Sequence, residues 1–252
     1  MIYNERKKNI LQILEERGVV SIKEIATRLS SSEITIRRDF EKLEIEGFLT
    51  RVTGGAVLNN QSKEVDNFEL SVKQKKIQNA DKKNKVAIAT SEMIHDGDYI
   101  FLDCGTCMIP LIKLLAKKKI TIVTNNITIL PYLHNPNAEV YLIGGKYNST
   151  YEMNAGSFAE EQLKTFHFDY TILGCAGIDL KSGDIYTSVI DGYVMKQAAL
   201  QQCDTSILIL DSTKLSKKSL VKISNIKHID HILCDRPIDE SGLQLPDNFT
   251  FV

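Results

Sequence analysis

Six short apolar runs, each ending in a polar or glycine-rich turn, constrain residues 81–252 more than any other feature. The run 99–102 leads into Asp103-Cys104-Gly105-Thr106-Cys107, the run 120–123 into Thr124-Asn125-Asn126, and the run 140–143 into Gly144-Gly145-Lys146. Further on, 170–173 leads into Gly174-Cys175-Ala176-Gly177, 207–210 into Asp211-Ser212-Thr213-Lys214, and 231–234 into Asp235. Runs that do not alternate apolar with polar belong to strands buried on both faces, which predicts a mostly parallel sheet. Helix-like segments at 108–117, 126–134, 157–164 and 189–203 would cover it, giving an α/β domain. In open sheets of this kind ligands bind beyond the carboxyl ends of the strands, where these turns converge.

The chemistry of the turns fits a phosphorylated polyol. Gly105-Thr106 and Asn125-Asn126 offer amides and polar side chains at helix starts, where an anion is favoured. Lys214 would supply a full positive charge, and Asp103 or Asp211 would accept hydrogen bonds from sugar hydroxyls. Each residue also has a plainer reading: a glycine turn, a surface lysine, or an aspartate capping the next helix. Their recurrence at equivalent strand ends favours a site.

Residues 1–58 follow a different pattern. Ile10, Leu11, Ile13 and Leu14 make one amphipathic helix, stopped by Gly18. Ser21 and Glu24 have the spacing of a capping box, opening a second helix with a stripe of Ile22, Ile25, Ala26 and Leu29. After a serine turn, Ser31 or Ser32 caps a third helix, in which Ile36, Phe40 and Leu43 form the core stripe and Gly47 closes the end. Thr35, Arg37 and Arg38 fall off that stripe near the helix start, where a helix-turn-helix meets DNA. The segment 48–53, Gly54-Gly55 and 56–58 reads as a hairpin wing, with Arg51 placed to reach a phosphate or the minor groove. A small helical bundle with a solvated arginine pair would explain the charges but not the joint pattern. A polar linker, 59–63, and a lysine-rich segment containing Phe68, Leu70, Val72 and Ile77 precede a helix with Val86, Ile88, Ala89 and Met93. The expected divisions are 1–58, a connector over 59–80, and 81–252.

The whole chain of 252 residues has a net charge of −1, with ten Lys and Arg against nine Asp and Glu in residues 1–58. Bulk charge therefore does not drive DNA binding, and positioned arginines must. The charged start and the lack of a long apolar run predict a cytoplasmic protein with no membrane partner. Five cysteines do not suggest a disulfide framework. Cys104 and Cys107 form a lone CxxC, and His228, His231 and Cys234 fall on opposite faces of a strand, so neither metal nor cofactor is expected.

The segment 19–58 closely resembles the winged helix-turn-helix of DeoR-type bacterial transcriptional repressors. Thr35, Ile36, Arg37, Arg38, Asp39, Phe40, Arg51, Gly54 and Gly55 carry the likeness, and Ser31 departs from it. Asp-x-Gly-Thr, Thr-Asn, Gly-Gly and Asp-Ser-x-Lys, in that order, resemble the family's effector domain, which is similar in fold to ribose-5-phosphate isomerase and coenzyme A transferases. The resemblance implies effector contacts at Asp103, Gly105, Thr106, Thr124, Asn125, Gly144, Gly145, Gly174, Asp211 and Lys214, with Asp191 and Lys196 as secondary candidates. Cys107 stands where the family usually has a second threonine. The implied function is repression of a carbohydrate-utilisation operon by a homodimer or homotetramer that binds double-stranded operator DNA through Ser32, Thr35, Arg37, Arg38 and Arg51. A phosphorylated sugar or polyol would modulate it, and no catalysis is expected. The rival readings are an isomerase-like enzyme with a DNA-binding head and a thiol redox regulator using Cys104 and Cys107.

Overall fold

The computed structural model describes residues 3–46, 48–58, 72–237 and 245–252. Gly47, the linker 59–63, Phe68 and Leu70 lie outside the described residues. The chain divides into two compact units, Met1–Gln74 and Lys75–Val252. The second unit starts earlier than the expected residue 81 because residues 75–80 are tied into it. Lys76 Nζ reaches Glu152 Oε2 at 2.8 Å, and Asn79 Nδ2 reaches Asp211 Oδ1 at 3.0 Å.

In the first unit α1 (Tyr3–Arg17) ends at Gly18, whose φ of +73° is left-handed. Strand β1 (Val19–Ser21) follows, then α2 (Ile22–Arg28), whose first turn is capped by Ser21 Oγ accepting from the Glu24 amide at 3.1 Å. Only half of the expected capping box forms, because the Glu24 carboxylate is taken by Arg17. Ser32 opens α3 (Glu33–Ile45), accepting from the Thr35 amide at 3.2 Å. Ile36, Phe40 and Leu43 are fully buried with Ile10, Leu14 and Ile25. Asp39 shares that inward face, and Arg6 on α1 meets it through Nε at 2.6 Å and Nη2 at 3.1 Å. The helix stripe thus includes one carboxylate, satisfied by a forked partner.

The wing contains β2 (Leu49–Val52) and β3 (Gly55–Leu58), as its hairpin signal predicts. It is three-stranded rather than two-stranded, because β1 pairs antiparallel with β3. A Cβ on Gly55 would lie 2.2 Å from the Val20 carbonyl oxygen, so this close approach requires glycine.

The second unit opens with the end of α4 (Val72–Ile77), followed by α5 (Ala80–Met93), β4 (Tyr99–Leu102), α6 (Met108–Leu115), β5 (Thr121–Thr124) and β6 (Glu139–Leu142). A short 3-10 turn, Ile127–Tyr132, replaces the helix expected over 126–134 and contains Pro131. Then come β7 (Lys146–Asn148), β8 (Met153–Ala155), α7 (Ser157–Leu163), β9 (Phe168–Gly174), β10 (Gly177–Asp179), β11 (Asp184–Thr187) and α8 (Ile190–Leu200). The chain closes with β12 (Cys203–Leu210), β13 (Val221–Asn225), β14 (His231–Cys234) and β15 (Phe249–Phe251).

Seven strands form one sheet in the order β15-β14-β12-β9-β4-β5-β6, and every neighbouring pair is parallel. Side chains alternate between its two faces. Ile100, Leu102, Ile122, Ile172, Ile207 and Ile209 pack with α5 and α6 residues, whereas Phe101, Val123, Leu173 and Leu208 pack with those of α7 and α8. Ile88, expected among the apolar residues of α5, is 53% exposed. Two antiparallel additions, β7-β8 and β10-β11-β13, have no counterpart in the apolar-run reading.

The core arrangement predicts a local stability effect. Phe40→Ala should destabilise the first unit by about 3–5 kcal/mol. Native-state hydrogen exchange should show protection lost across residues 3–58 and kept in the seven-stranded sheet.

Candidate nucleic-acid interface and ligand site

The outward face of α3 carries Arg37 and Arg38, both exposed. Among the described residues, Arg6, Arg17 and Arg51 have acidic partners, while no ion pair engages Arg37 or Arg38. Thr35 is half-buried and its hydroxyl lies 2.9 Å from Ser32 Oγ, so these two serve the helix start itself. Arg51 has acidic partners within the unit. Its amide and Nε meet Glu44 at 2.8 and 2.7 Å, and its Nη1 meets Glu41 Oε1 at 2.9 Å. Glu41 and Glu44 lie one turn apart on α3, so the pair fastens β2 to the helix. The Arg51 amide and guanidinium hold the Glu44 carboxyl below its ordinary range.

The second site lies where the sheet changes direction. From β4 the chain runs outward to β5 and β6, then returns to place β9 on the other side of β4. Asp103, just beyond β4, and Gly174, the last residue of β9, therefore flank the topological switch point. The Gly174 amide donates to Asp103 Oδ2 at 2.9 Å, and Lys196 on α8 forms a buried ion pair with the same oxygen. Burial would depress the Lys196 ammonium, but the Asp103 carboxylate overrides that and raises its pKa. Among the described residues, Asp103 Oδ1 is buried without a partner, and so is Asn125 Oδ1 just beyond β5. Two unpartnered acceptors at neighbouring strand ends match a ligand that brings hydroxyl donors.

Around this point other residues brace the loops. Thr124 Oγ1 donates to the Leu102 carbonyl at 2.6 Å and accepts the Asn126 amide at 3.0 Å. Asn126 Nδ2 holds the Asp103 and Gly105 carbonyls at 3.1 and 3.3 Å, while its Oδ1 caps Thr128. The groups expected to face a ligand from Thr124 and Asn126 are thus used to fix the Asp103–Gly105 backbone. Gly105 sits at φ +131°, ahead of Thr106 and Cys107 at the start of α6. Asp211 Oδ1 is occupied by Asn79 and Thr213, and Lys214 Nζ donates to the Cys175 carbonyl at 2.6 Å. Gly144 and Gly145 have structural reasons of their own. The Gly144 amide meets Gln162 Oε1 at 3.0 Å, and a Cβ on Gly145 would fall 2.7 Å from the Ala155 carbonyl oxygen. Asp191 is held at 3.4 Å by Asn148 Nδ2.

The residue that the sequence reading missed is Lys83. It sits on the buried face of α5 with Val86, Ala87 and Thr90, so a lysine inside an apolar stripe was the available signal. Its Nζ lies 3.1 Å from Thr106 Oγ1 and also holds the Lys75 carbonyl. Burial pushes the Lys83 ammonium below the ordinary lysine pKa, and the nearby positive charges of Lys214 and Lys75 push the same way, against Cys107 and Asp211. Lys82 likewise reaches Ser212 Oγ at 2.6 Å and Asp235 at 3.4 Å. Cys107 is buried, and burial pushes the Cys175 thiol up to about 11, where it stays protonated near neutral pH. His228 lies in a 3-10 turn and not on the strand expected to hold it with His231 and Cys234; both histidines are exposed and Cys234 is buried.

Comparison with known proteins agrees with both units. The family described as "DeoR-like helix-turn-helix domain" matches residues 6–62, and "DeoR C terminal sensor domain" matches residues 78–236. The HTH-type transcriptional repressor GlcR of Bacillus subtilis is 30% identical over 98% of this chain and 94% of its own. The L-fucose operon activator of Haemophilus influenzae is 30% identical over 97% and 94%. Among solved structures, ribose 5-phosphate isomerase A from Methanocaldococcus jannaschii aligns at 13% identity over 54% of this chain and 55% of its own, with a TM-score of 0.41. Among the described residues no helix is long and apolar enough to cross a membrane. With a reading head and a sensor domain each matched along its length, the chain belongs to the DeoR family of DNA-binding transcriptional regulators.

Proposed function

We propose that this regulator represses a carbohydrate-utilisation operon and that a phosphorylated sugar or polyol, bound at the switch point between β4 and β9, relieves or alters that repression. The observation that carries this reading is the pairing of opposite needs within one site. Lys83 and Lys214 bring mutually repelling ammonium groups, which a phosphate would reconcile. Asp103 Oδ1 and Asn125 Oδ1 are buried acceptors that sugar hydroxyls would satisfy. Repression, rather than activation, follows the GlcR relative, since the L-fucose relative is named an activator.

Asp103 and Lys196 are committed to each other, which leaves neither group disposed to shuttle a substrate proton; no turnover is expected. The burial of Cys107 likewise argues for metabolite sensing over thiol exchange between Cys104 and Cys107. The ligand has a direct route to the start of the second unit, because Lys83 holds the Lys75 carbonyl and Asn79 holds Asp211. By linkage, the effector changes DNA affinity only by the ratio of its own affinities for the DNA-bound and free forms. Two recognition heads, supplied by a homodimer or homotetramer in the cytoplasm, would read paired half-sites.

A thermal-shift screen of phosphorylated sugars tests the sensing half. The true effector at a hundred times its Kd should stabilise the protein by about 2.7 kcal/mol. Lys83→Met should remove that response while keeping operator binding in the absence of effector; an undiminished response would discard the phosphate assignment. Deprotonation of Lys83 removes positive charge from the site, so effector affinity should fall with rising pH before the ordinary lysine value of 10.5 is reached, and Lys83→Met should flatten that fall. For the reading half, Arg37→Ala and Arg38→Ala should each cost about 1–3 kcal/mol of operator binding without altering the effector response. Wild-type operator affinity in both variants would count against the α3 assignment.

A further inference from the structure

Ile34 in the first turn of α3 is 67% exposed, as is Ile45 at its other end at 81%, whereas Ile36, Phe40 and Leu43 between them are buried. Single exposed apolar residues are common and need no special account. Three observations separate this one. It lies two residues before Ile36, about 200° around a helix of 3.6 residues per turn, and so points away from the core of the first unit. Arg38 follows it by four residues, which places the two side by side on the outward stripe. A β-branched residue in an exposed first turn is also a poorer helix former than alanine, glutamate or lysine, and no contact in the buried cluster compensates for it.

The helix start is the part of a helix-turn-helix that enters the major groove. Arg37 and Arg38 bring positive charge to that same face, so Ile34 lies within the DNA-reading surface and not on an unrelated patch. Within the major groove the apolar feature of a base edge is the 5-methyl group of thymine, which aliphatic side chains recognise by contact. We infer that Ile34 is a specificity-determining residue that packs on a thymine methyl, beside the base or phosphate contacts of Arg38. This assignment rests on the reading of α3 as the DNA-recognition helix, and it adds a base preference that the arginines do not supply.

The test begins with selection of duplexes from a random library by the full-length protein. Each thymine of the selected site is then replaced in turn by deoxyuridine, which keeps the pairing edge and lacks only the methyl group. For the wild type, one thymine per recognition helix should show an affinity loss of about 4-fold, as expected for one buried methyl-sized group. Ile34→Ala should bind the thymine duplex more weakly by a similar factor and should not distinguish thymine from uracil at that position. Its far-ultraviolet circular dichroism and melting should match the wild type, since the side chain is outside the core. Wild-type indifference to uracil at every position overturns the proposal, as does Ile34→Ala that keeps the wild-type sensitivity. A library with no enriched sequence overturns the base-reading role of α3 itself, and Ile34 with it. Loss of binding in Arg38→Ala alongside uracil indifference leaves the recognition helix standing and removes only Ile34.

Discussion

The second unit depends on one buried ion pair. Asp103 has no solvent exposure and Lys196 almost none, so each forfeits hydration worth several kcal/mol, and their mutual contact, with the Gly174 amide on Asp103, offsets that cost. The arrangement joins three elements that are distant in sequence. Asp103 extends β4, its Oδ2 takes the Gly174 amide at the end of β9, and Lys196 comes from α8 on the face covered by the larger core cluster. Removing either partner alone would strand a charge in the interior, so the position of each element is conditional on the other two. Among the described residues no donor meets Asp103 Oδ1. A bond that fixes the fold thereby leaves one lone acceptor presented at the topological switch point.

Legibility in the sequence followed the range of the interactions. In the first unit the N-terminal caps, core stripe and Gly54-Gly55 turn were readable, since they are set by residues a few positions apart. What escaped there was decided by contacts across sequence. Glu24 turns to Arg17 and not back to its own helix start, Arg51 is drawn to Glu41 and Glu44, and β1 adds to the wing because Gly55 lets its backbone approach Val20. In the second unit the continuous apolar runs announced the parallel sheet, but their order could not be read from them. Only the order β9-β4-β5 shows why Asp103 and Gly174 meet, while Gly144 meets Gln162 of α7 and Gly145 packs against Ala155 of β8 and Ala159 of α7.

Lysines show the same limit more sharply. Lys214 was visible because it ends a recurring strand-turn pattern, whereas Lys83 was hidden in a run of Lys and Asn that reads as a wet helix face. The structure buries Lys83 and leaves Ile88, five residues later, largely in solvent. Helical periodicity contains that information, since Lys83, Val86, Ala87 and Thr90 follow one face, but the charge argues against choosing that face. Burying an ammonium is unfavourable without compensation, and here Thr106 and the Lys75 carbonyl supply two acceptors. No local rule anticipates a partner 23 residues away.

This use of Lys83 also bears on how a sensor of the proposed kind would transmit its state. Lys75 is the first residue of the second unit, and its carbonyl depends on the same ammonium that faces Thr106. Asn79, held at a left-handed φ of +54°, depends on Asp211 and Thr213 at the end of β12. Lys75 and Asn79, at the two ends of this segment, are therefore both tied to groups that line the candidate site. An anion that recruits Lys83 and Lys214 must either share their present acceptors or displace them. Displacement acts first on the backbone that leaves this unit towards residue 74. The coupling needs no long pathway through the sheet: the binding groups and the exit of the chain are one hydrogen-bonded assembly, and its strength is bounded by what the ligand gains over the bonds it replaces.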